Sequence, residues 1–223
     1  MTIGITRIFT FGWSPEFVVR PLLEEGLNRM DVIVLIASKP ETDYARRRAE
    51  EAYRQVESFV KMVGAALHYR EVDVNKDVIP LCRDVVKVIK EFDMNTSLKF
   101  YLTGGMRALI VATLIVAKLL SSAGRHINIV LSREDGLLLY TLPVSLLNLD
   151  IGSITNVQAE ILRFLKVRSG ATFEDLAIGR TAVTVRKHLT KLREKRLVSF
   201  IARGRKQVYS LTPLGELMLD ILD

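Results

Sequence analysis

Two short glycine-containing segments carry the residue types that bind phosphate. One reads FGWS over residues 11–14 and the other reads LTGG over residues 102–105, and each lies between a β-rich run and a helical pattern. Glycine lets a phosphate approach the backbone, and the start of a helix offers free N–H groups with a partial positive charge. Ser14 and Thr103 add hydroxyl donors. Phosphate binding is the prediction, and a tight turn that only lets helix and strand pack closely is the alternative.

A second candidate site is basic. Residues 151–223 hold 13 lysines and arginines against 7 acidic residues, a net charge of +6, whereas residues 1–150 hold 19 against 18, a net charge of +1. This asymmetry predicts a polyanionic partner for the last third of the chain, with double-stranded DNA the first candidate and an inert basic surface the alternative. The side chains expected to contact bases and phosphates are Thr184, Arg186, Lys187, Thr190, Lys191, Arg203, Arg205 and Lys206.

Several other chemistries are disfavoured by what the sequence lacks. No GxGxxG follows the first strand, no acidic residue follows the second, where the chain reads Ala37-Ser38-Lys39, and no GxxxxGK[ST] occurs. NAD, FAD and ATP binding in their usual modes are therefore not expected. Cys82 is the only cysteine, and no two histidines share metal-ligand spacing. We therefore predict no metal, no cofactor and no catalytic residue.

The first 142 residues alternate between strand and helix patterns. The predicted strands are 7–11, 32–37, 68–72, 98–102, 127–132 and 137–142, and the predicted helices are 15–30, 44–67, 78–92 and 106–122. Ser14 suits a helix N-cap and Pro15 a first helical position. Such alternation is typical of a parallel doubly wound sheet, here with a final antiparallel hairpin. In a Rossmann-like strand order 3-2-1-4, both glycine segments would meet at the carboxyl edge.

The last 70 residues have the order of a winged helix-turn-helix. Helical patterns over 156–170, 173–179 and 180–198 precede two strands, 198–202 and 207–212, around a basic turn, and a helix over 213–222 starts after Thr212. Val185, Leu189 and Leu192 recur at helical spacing and are expected to face the core. The predicted fold is α/β: a Rossmann-like, mostly parallel sheet domain (1–142), a linker (143–154) and a winged helix-turn-helix domain (155–223).

The sequence gives no reason to expect a membrane. The N-terminus has no pattern of a signal peptide, and the longest apolar run, Ala108–Ala117, falls far short of the ~20 residues that span a bilayer. We expect a cytoplasmic protein.

Three features together resemble one family. The segments TRIFTFGWSPEFVVRPLLEEGL and YLTGGMRALIVATL, followed by a winged helix, resemble the CRISPR-associated Rossmann fold (CARF) transcriptional regulators of archaeal type I-A systems, most sharply at Gly12, Arg20 and Thr103–Gly105. The resemblance implies a homodimeric sensor that binds a cyclic oligoadenylate, commonly cyclic tetra-adenylate. The ligand residues it implies are Thr10, Phe11, Gly12, Trp13, Ser14, Thr103, Gly104, Gly105 and Arg107.

Two details, the role of Trp13 and the possibility of ligand cleavage, are considered from the residues of this chain. Trp13 can stack on an adenine or be a partly buried core residue. Some relatives cleave their ligand with hydroxyl and lysine groups, but neither glycine segment contains a lysine, and Arg107 is a poor proton donor. We therefore expect a ligand-controlled regulator and no enzyme, with part of the apolar face of Ala108–Leu120 as the dimer interface. The alternatives are a ring nuclease, a regulator that senses a different nucleotide, and a structural DNA-binding protein.

Overall fold

The chain forms two compact units. The computed structural model describes residues 4–92, 97–133, 138–143, 154–179, 181–204 and 206–222. The units are Met1–Asn148 and Leu149–Asp223, so that the division falls within the predicted linker, most of which lies outside the described residues.

The first unit is a six-stranded sheet covered by helices on both faces. Its strands are β1 (Ile5–Phe11), β2 (Val32–Ser38), β3 (Ala66–Val72), β4 (Ser97–Leu102), β5 (Ile127–Ser132) and β6 (Leu139–Leu142). Its helices are α1 (Glu16–Glu25), α2 (Asp43–Val63), α3 (Val78–Lys90) and α4 (Arg107–Ser122). The strand order is β3-β2-β1-β4-β5-β6. All neighbours are parallel except β5 and β6, which confirms the predicted Rossmann-like order and the edge hairpin.

Strands buried on both faces explain the continuous apolar runs in the sequence. Residues that alternate along β2 enter two different cores, as Ile33 and Leu35 pack with α1 and α2 while Val34 and Ile36 pack with α3 and α4. Side chains of a strand point alternately to its two faces, so both sets must be apolar when both faces are covered.

Several predicted helix ends were wrong, and the backbone gives the reasons. The helix α1 ends at Glu25 and not near Met30, because Gly26 adopts φ +78°. Gly64 closes α2 in the left-handed conformation, three residues before the predicted end, so β3 already starts at Ala66. At its other end α1 has Pro15 as N-cap, so Ser14 is not the cap and Pro15 is not the first helical residue.

The second unit has the winged helix-turn-helix order. Its helices are α5 (Asn156–Arg168), α6 (Phe173–Leu176), α7 (Ala182–Glu194) and α8 (Pro213–Leu222), and its strands are β7 (Ala171–Thr172), β8 (Val198–Arg203) and β9 (Lys206–Leu211). The strand β7 was not predicted, and it completes a sheet of order β7-β9-β8. Threonine side chains cap α5, α6 and α7 at Thr155, Thr172 and Thr181, and the Gly215 N–H donates to the Thr212 hydroxyl at the start of α8.

A buried ionic cluster braces the first unit. The Arg7 guanidinium donates to Asp31 at 3.1 Å, to Glu25 at 3.1 Å and to the Tyr101 hydroxyl at 3.0 Å, and Lys99 donates to Glu25 at 2.7 Å. The side chains of Arg7 and Asp31 are only 5% and 3% exposed. Burial lowers the pKa of Arg7, but the surrounding Tyr101 and acidic side chains outweigh burial and leave that pKa raised. The cluster therefore fixes β1 to β4 and to the end of α1.

Candidate functional site

The structure brings the two predicted glycine segments into direct contact. A Cβ atom placed on Gly12 would lie 2.8 Å from the backbone N of Gly105, and one placed on Gly105 would lie 2.9 Å from the carbonyl oxygen of Phe11. Gly105 also has φ +87°, a conformation that side-chain-bearing residues rarely adopt. The two loops can therefore pack this closely only because both positions are glycine.

These loops form one wall of an open cleft of about 510 Å³. The loop after β1 contributes Gly12, Trp13 and Ser14, and the start of α4 contributes Gly105 and Met106. The opposite wall comes from the loop after β2 and the first turns of α2, with Ser38, Lys39, Pro40, Glu41, Thr42, Ala45 and Ala49. The cleft thus lies outside the carboxyl ends of β1, β2 and β4, where ligands of open α/β sheets bind.

Two helices begin beside this cleft without a side-chain cap. Neither Pro15 at α1 nor Met106 at α4 accepts a hydrogen bond through its side chain, whereas Thr42 caps α2. The first residue of α4 is Arg107, which is exposed. A cation at the positive end of a helix dipole is unfavourable by itself. An anion near this helix start would offset that repulsion and satisfy free N–H groups.

Thr103 lacks a hydrogen-bond partner among the described residues. Its side chain lies between β4 and the Gly104-Gly105 turn and is 8% exposed, and its hydroxyl oxygen is fully buried. A buried hydroxyl without a partner costs about 1–3 kcal/mol, so native structures seldom leave one unsatisfied. The orphaned hydroxyl therefore indicates that a further hydrogen-bonding group belongs beside this turn.

The other predicted ligand residues divide into two groups. The side chains of Thr10 and Phe11 are fully buried, and the Thr10 hydroxyl donates to the carbonyl oxygen of Tyr101 at 3.4 Å. Their side chains position the loop and do not line the cleft, so the predicted ligand role of these two residues stays a prediction about their backbone. Trp13 is 51% exposed and lies edge-on to Tyr44 at 6.1 Å, which rules out the core interpretation. Trp13 therefore presents an aromatic surface at the cleft.

Lys39 is the main residue of the cleft that sequence reasoning missed. It was noted only as a departure from the acidic residue of dinucleotide-binding folds. The strand order itself was the usable signal, because β2 is the neighbour of β1 and its loop must reach the same edge. Lys39 is exposed and supplies a cation to the cleft wall, while Glu41 beside it accepts a hydrogen bond from Asn75 at 2.7 Å. The described residues contain no group of three or more side chains suited to hold a metal.

The second unit carries the predicted nucleic-acid interface on α7. Val185, Leu189 and Leu192 are buried as predicted. Four of the predicted contact residues are exposed: Arg186, Lys187, Thr190 and Lys191. Thr184 is half-buried, and its hydroxyl shares a 2.7 Å hydrogen bond with that of Thr181, the helix cap. Thr184 therefore supports the helix start more directly than it offers a hydroxyl to a partner.

A groove of about 510 Å³ runs between α7 and β9 and is lined by cations. Arg186, Arg193 and Lys206 contribute to it, and Arg193 was not among the predicted contacts. The guanidinium groups are held over aromatic rings, Arg193 at 4.4 Å from the Phe200 centroid and Arg186 at 5.5 Å from that of Phe173. Of the predicted wing cations, Arg205 and the side chain of Arg203 lie outside the described residues.

The fold and the cleft together define a class. A Rossmann-like domain with a cleft at the carboxyl edge, followed in one chain by a winged helix-turn-helix, is the architecture of CARF-type winged-helix regulators. Residues 6–143 match the family model of the Csa3 CRISPR-associated Rossmann-like domain. This match covers more than half of the chain, and the protein therefore belongs to that family, which confirms the resemblance found in the sequence.

Comparisons with other proteins are more limited. No curated protein sequence matches the chain. A mutant of S. aureus MepR bound to an oligodeoxyribonucleotide is 30% identical over 30% of this chain and 54% of its own, with a TM-score of 0.29. BpsR of Bordetella bronchiseptica, whose DNA binding is regulated by 6-hydroxynicotinic acid, is 22% identical over 35% of this chain and 58% of its own, with a TM-score of 0.30. The chain thus spans just over half the length of each, and TM-scores this low support no statement about it.

No helix in the described part of the chain has the length and apolar character needed to cross a membrane.

Proposed function

We propose that the protein is a CRISPR-associated transcription regulator that binds a cyclic oligoadenylate in the first unit and promoter DNA through the second. The single observation that carries the ligand site is the cleft outside the carboxyl ends of the strands, where the two closely packed glycine loops meet Lys39. The start of α4 beside this cleft has no side-chain cap, and a phosphate oxygen can accept hydrogen bonds from the N–H groups of a helix start. Cyclic tetra-adenylate is the first ligand to test.

The remainder of the cleft suits a nucleotide with exposed phosphates and a stacking base. Lys39 supplies positive charge to the cleft wall, and the exposed Arg107 follows the lining residue Met106 at the start of α4. The Trp13 ring and its neighbour Tyr44 provide aromatic surface. Base stacking on such side chains is worth about 1–3 kcal/mol per base. The missing dinucleotide fingerprint argues against an ordinary NAD or FAD in this place.

Calorimetry with cyclic tetra-adenylate, cyclic hexa-adenylate and a linear tetra-adenylate tests the ligand assignment. Binding of a cyclic form is expected, and the Lys39→Met variant should bind it about 10- to 150-fold more weakly, because a charge-assisted contact is worth about 1.5–3 kcal/mol. Lys90→Met is the matched control, since this exposed lysine is the last residue of α3 and lies outside the cleft lining. Failure of all cyclic forms to bind would refute the assignment, and tighter binding of another nucleotide would redefine the ligand.

We propose that a second copy of the chain packs on the exposed apolar residues of α4. Met106, Val111 and Leu119 are 52%, 50% and 57% exposed on this helix, although the opposite side of α4 already packs on the sheet. Dimerisation through this face is also what a ligand with repeated phosphates favours, because each copy contributes one cleft. Sedimentation should show a dimer that Val111→Lys weakens and that Met62→Lys, on exposed surface of α2, does not; a monomeric wild type would refute it.

The proposed DNA site is the cationic face of α7 with the groove beside β9. A dimer would place two such helices on a pseudo-palindromic promoter. Ligand binding between the first units would then change the spacing or orientation of the two helices. If ligand alters DNA affinity by some factor, DNA must alter ligand affinity by the same factor, which calorimetry with and without DNA measures. Equal ligand affinity in both conditions would argue against coupling.

Ligand cleavage is the second candidate function, and Lys39 is the observation that favours it. The sequence argument against cleavage relied on the lack of lysine in the two glycine segments. Lys39 nevertheless lines the same cleft from the loop after β2, and Ser14 lines it from the loop after β1. A lysine ammonium can donate a proton to a leaving oxygen. Incubation of the protein with cyclic tetra-adenylate, followed by chromatography, separates the two functions: linear products would establish a ring nuclease, and unchanged ligand would support a sensor.

A further inference from the structure

Val183 is an apolar residue in an otherwise polar part of α7. It is the second residue of that helix and is 78% exposed, while Arg186 and Lys187, one turn further on, are exposed on the same side. The helix core is complete without it, because Val185, Leu189 and Leu192 point inward. Valine is also a weaker helix former than alanine, so Val183 is not explained by helix stability.

Val183 also lies at one end of a shallow groove along α7. The groove encloses about 430 Å³ and is lined by Val183, Arg186, Lys187, Thr190, Lys191 and Glu194. Its chemistry changes along the helix, since the apolar methyl groups of Val183 lie at the amino-terminal end and the Glu194 carboxylate lies about three turns away. In helix-turn-helix proteins the amino-terminal residues of the recognition helix contact base edges. The apolar end of the groove is therefore the end that would enter the major groove first.

A single feature of the major groove is apolar. Thymine presents its C5-methyl group there, while guanine, cytosine and adenine present only hydrogen-bonding groups. An exposed valine flanked by cations matches a thymine methyl next to phosphates or guanine. Isolated exposed apolar residues are common on protein surfaces, so the position on the base-facing end of α7 is what distinguishes Val183 from Val167, which is 85% exposed on α5.

We propose that Val183 is a specificity-determining residue that contacts the C5-methyl group of a thymine in each operator half-site. This inference rests on the proposed DNA binding by α7 and adds to it a base preference. Arg186 and Lys187 lie within one helical turn of Val183, about 5.4 Å along the axis, which corresponds to one or two base pairs. A guanine within that distance of the thymine suits either cation, because arginine and lysine pair with its O6 and N7.

The experiment starts with the full-length protein and selection from random duplex DNA. In the selected site, each thymine is replaced in turn by deoxyuridine, which removes only the methyl group. One thymine per half-site is expected to weaken binding about fourfold when replaced, the value for one buried methyl group. With Val183→Ala, the same replacement should cause a clearly smaller loss, because the two methyl groups of the valine have been removed from the protein side and only Cβ remains.

The experiment has a matched control variant, and failure of DNA binding can be told apart from failure of the proposed role of Val183. Val167→Ala makes the same chemical change at another exposed helix position and should leave every deoxyuridine effect intact. Val183→Ala favours the helix, so a loss of affinity cannot be attributed to unfolding of α7. If no duplex is enriched or bound, the proposed DNA function itself fails. If DNA is bound but every deoxyuridine effect persists in Val183→Ala, the function stands and the role of Val183 is refuted.

Discussion

The two units of this protein use charge in opposite ways. In the first, a cluster of charged side chains is buried and paired, with Arg7 held by Asp31 and Glu25, and the cleft combines closely packed glycines with the exposed cation Lys39. In the second, cations such as Arg186 and Lys187 are exposed on one helix, and the net charge reaches +6. Binding by backbone groups and glycines would depend on the geometry of the loops, whereas the affinity of a cationic surface for a polyanion depends on the number of its charges.

This difference predicts different responses to substitution. In the first unit, a single change at the buried ionic cluster or at the closely packed glycines should have a large effect, because each of these groups has specific partners. In the second, effects should be graded and dependent on salt, because exposed charges act together on a polyanion.

The largest expected effect is on the buried cluster. Arg7→Ala leaves Asp31 without its buried ionic partner, and removal of one member of such a pair costs about 3–5 kcal/mol of unfolding free energy. Lys187→Ala, an exposed position of α7, should change it by less than about 0.5 kcal/mol. Urea unfolding followed by circular dichroism measures both, and Trp13, the only tryptophan, reports the first unit separately. Similar losses of unfolding free energy in both variants would contradict the difference proposed between the two units.

The next largest effect concerns the contact between the loops. Gly105→Ala adds a Cβ atom 2.9 Å from the carbonyl oxygen of Phe11, so the loops must separate and ligand affinity should fall at least about thirtyfold, or 2 kcal/mol. Gly124→Ala is the matched control, because Gly124 has a similar φ of +84° but no atom within 4 Å of the added Cβ. Calorimetry should find normal ligand affinity in the control. Equal losses would mean that backbone strain alone is responsible.

A smaller, graded effect is expected at the cationic groove. Replacement of Arg186 and Lys206 by alanine should reduce the slope of log K against log salt by about 0.9 for each lost phosphate contact. Replacement of Arg47 and Arg54, exposed on α2 in the first unit, provides the control and should leave the slope unchanged. Fluorescence anisotropy with duplex DNA over a series of salt concentrations measures the slope. An unchanged slope in the first double variant would exclude this groove from the DNA interface.

The smallest effect is a pH dependence of the first unit. Burial lowers the pKa of His68, and the nearby charge of Arg70 lowers it further. Below the ordinary value of about 6.5 the unfolded chain takes up a proton before the folded chain does, so stability should decrease as the pH falls through this window and stay level above it. The variant His68→Gln should show a flatter profile in Trp13-monitored unfolding between pH 5 and 7. An identical profile would assign the dependence to other groups.

The sequence was sufficient for the fold because its signals are local. Continuous apolar runs identified β2 as covered on both faces, and the 3.6-residue spacing of Val185, Leu189 and Leu192 identified the inner face of α7. The two-residue strand β7 has no periodicity to detect, and its pairing with β9 joins residues more than 30 positions apart. The end of α1 was missed although the sequence contained a local signal, because glycine commonly follows the last residue of a helix and Gly26 does so here.

The sites were predictable only in part. The meeting of the two glycine segments followed from the strand order, but the exposure of Trp13 and the burial of Thr10 depend on packing that no local pattern encodes. Arg7 appeared to be an ordinary strand residue because its partner Tyr101 lies 94 positions away. Lys39 could have been named as a cleft residue from the sequence. It was omitted because the loop after β2 was considered only for the acidic residue of a dinucleotide-binding motif, which it lacks.

The contact between Gly12 and Gly105 also limits how this cleft can diverge during evolution. Neither position can gain a side chain unless the opposite loop moves, so a single substitution at either site is disfavoured before any ligand is considered. The opposite wall, with Ser38, Lys39 and Pro40, is built from residues that carry side chains. We therefore expect lineages of this fold to change their ligand preference through the loop after β2, while the paired glycines are inherited together.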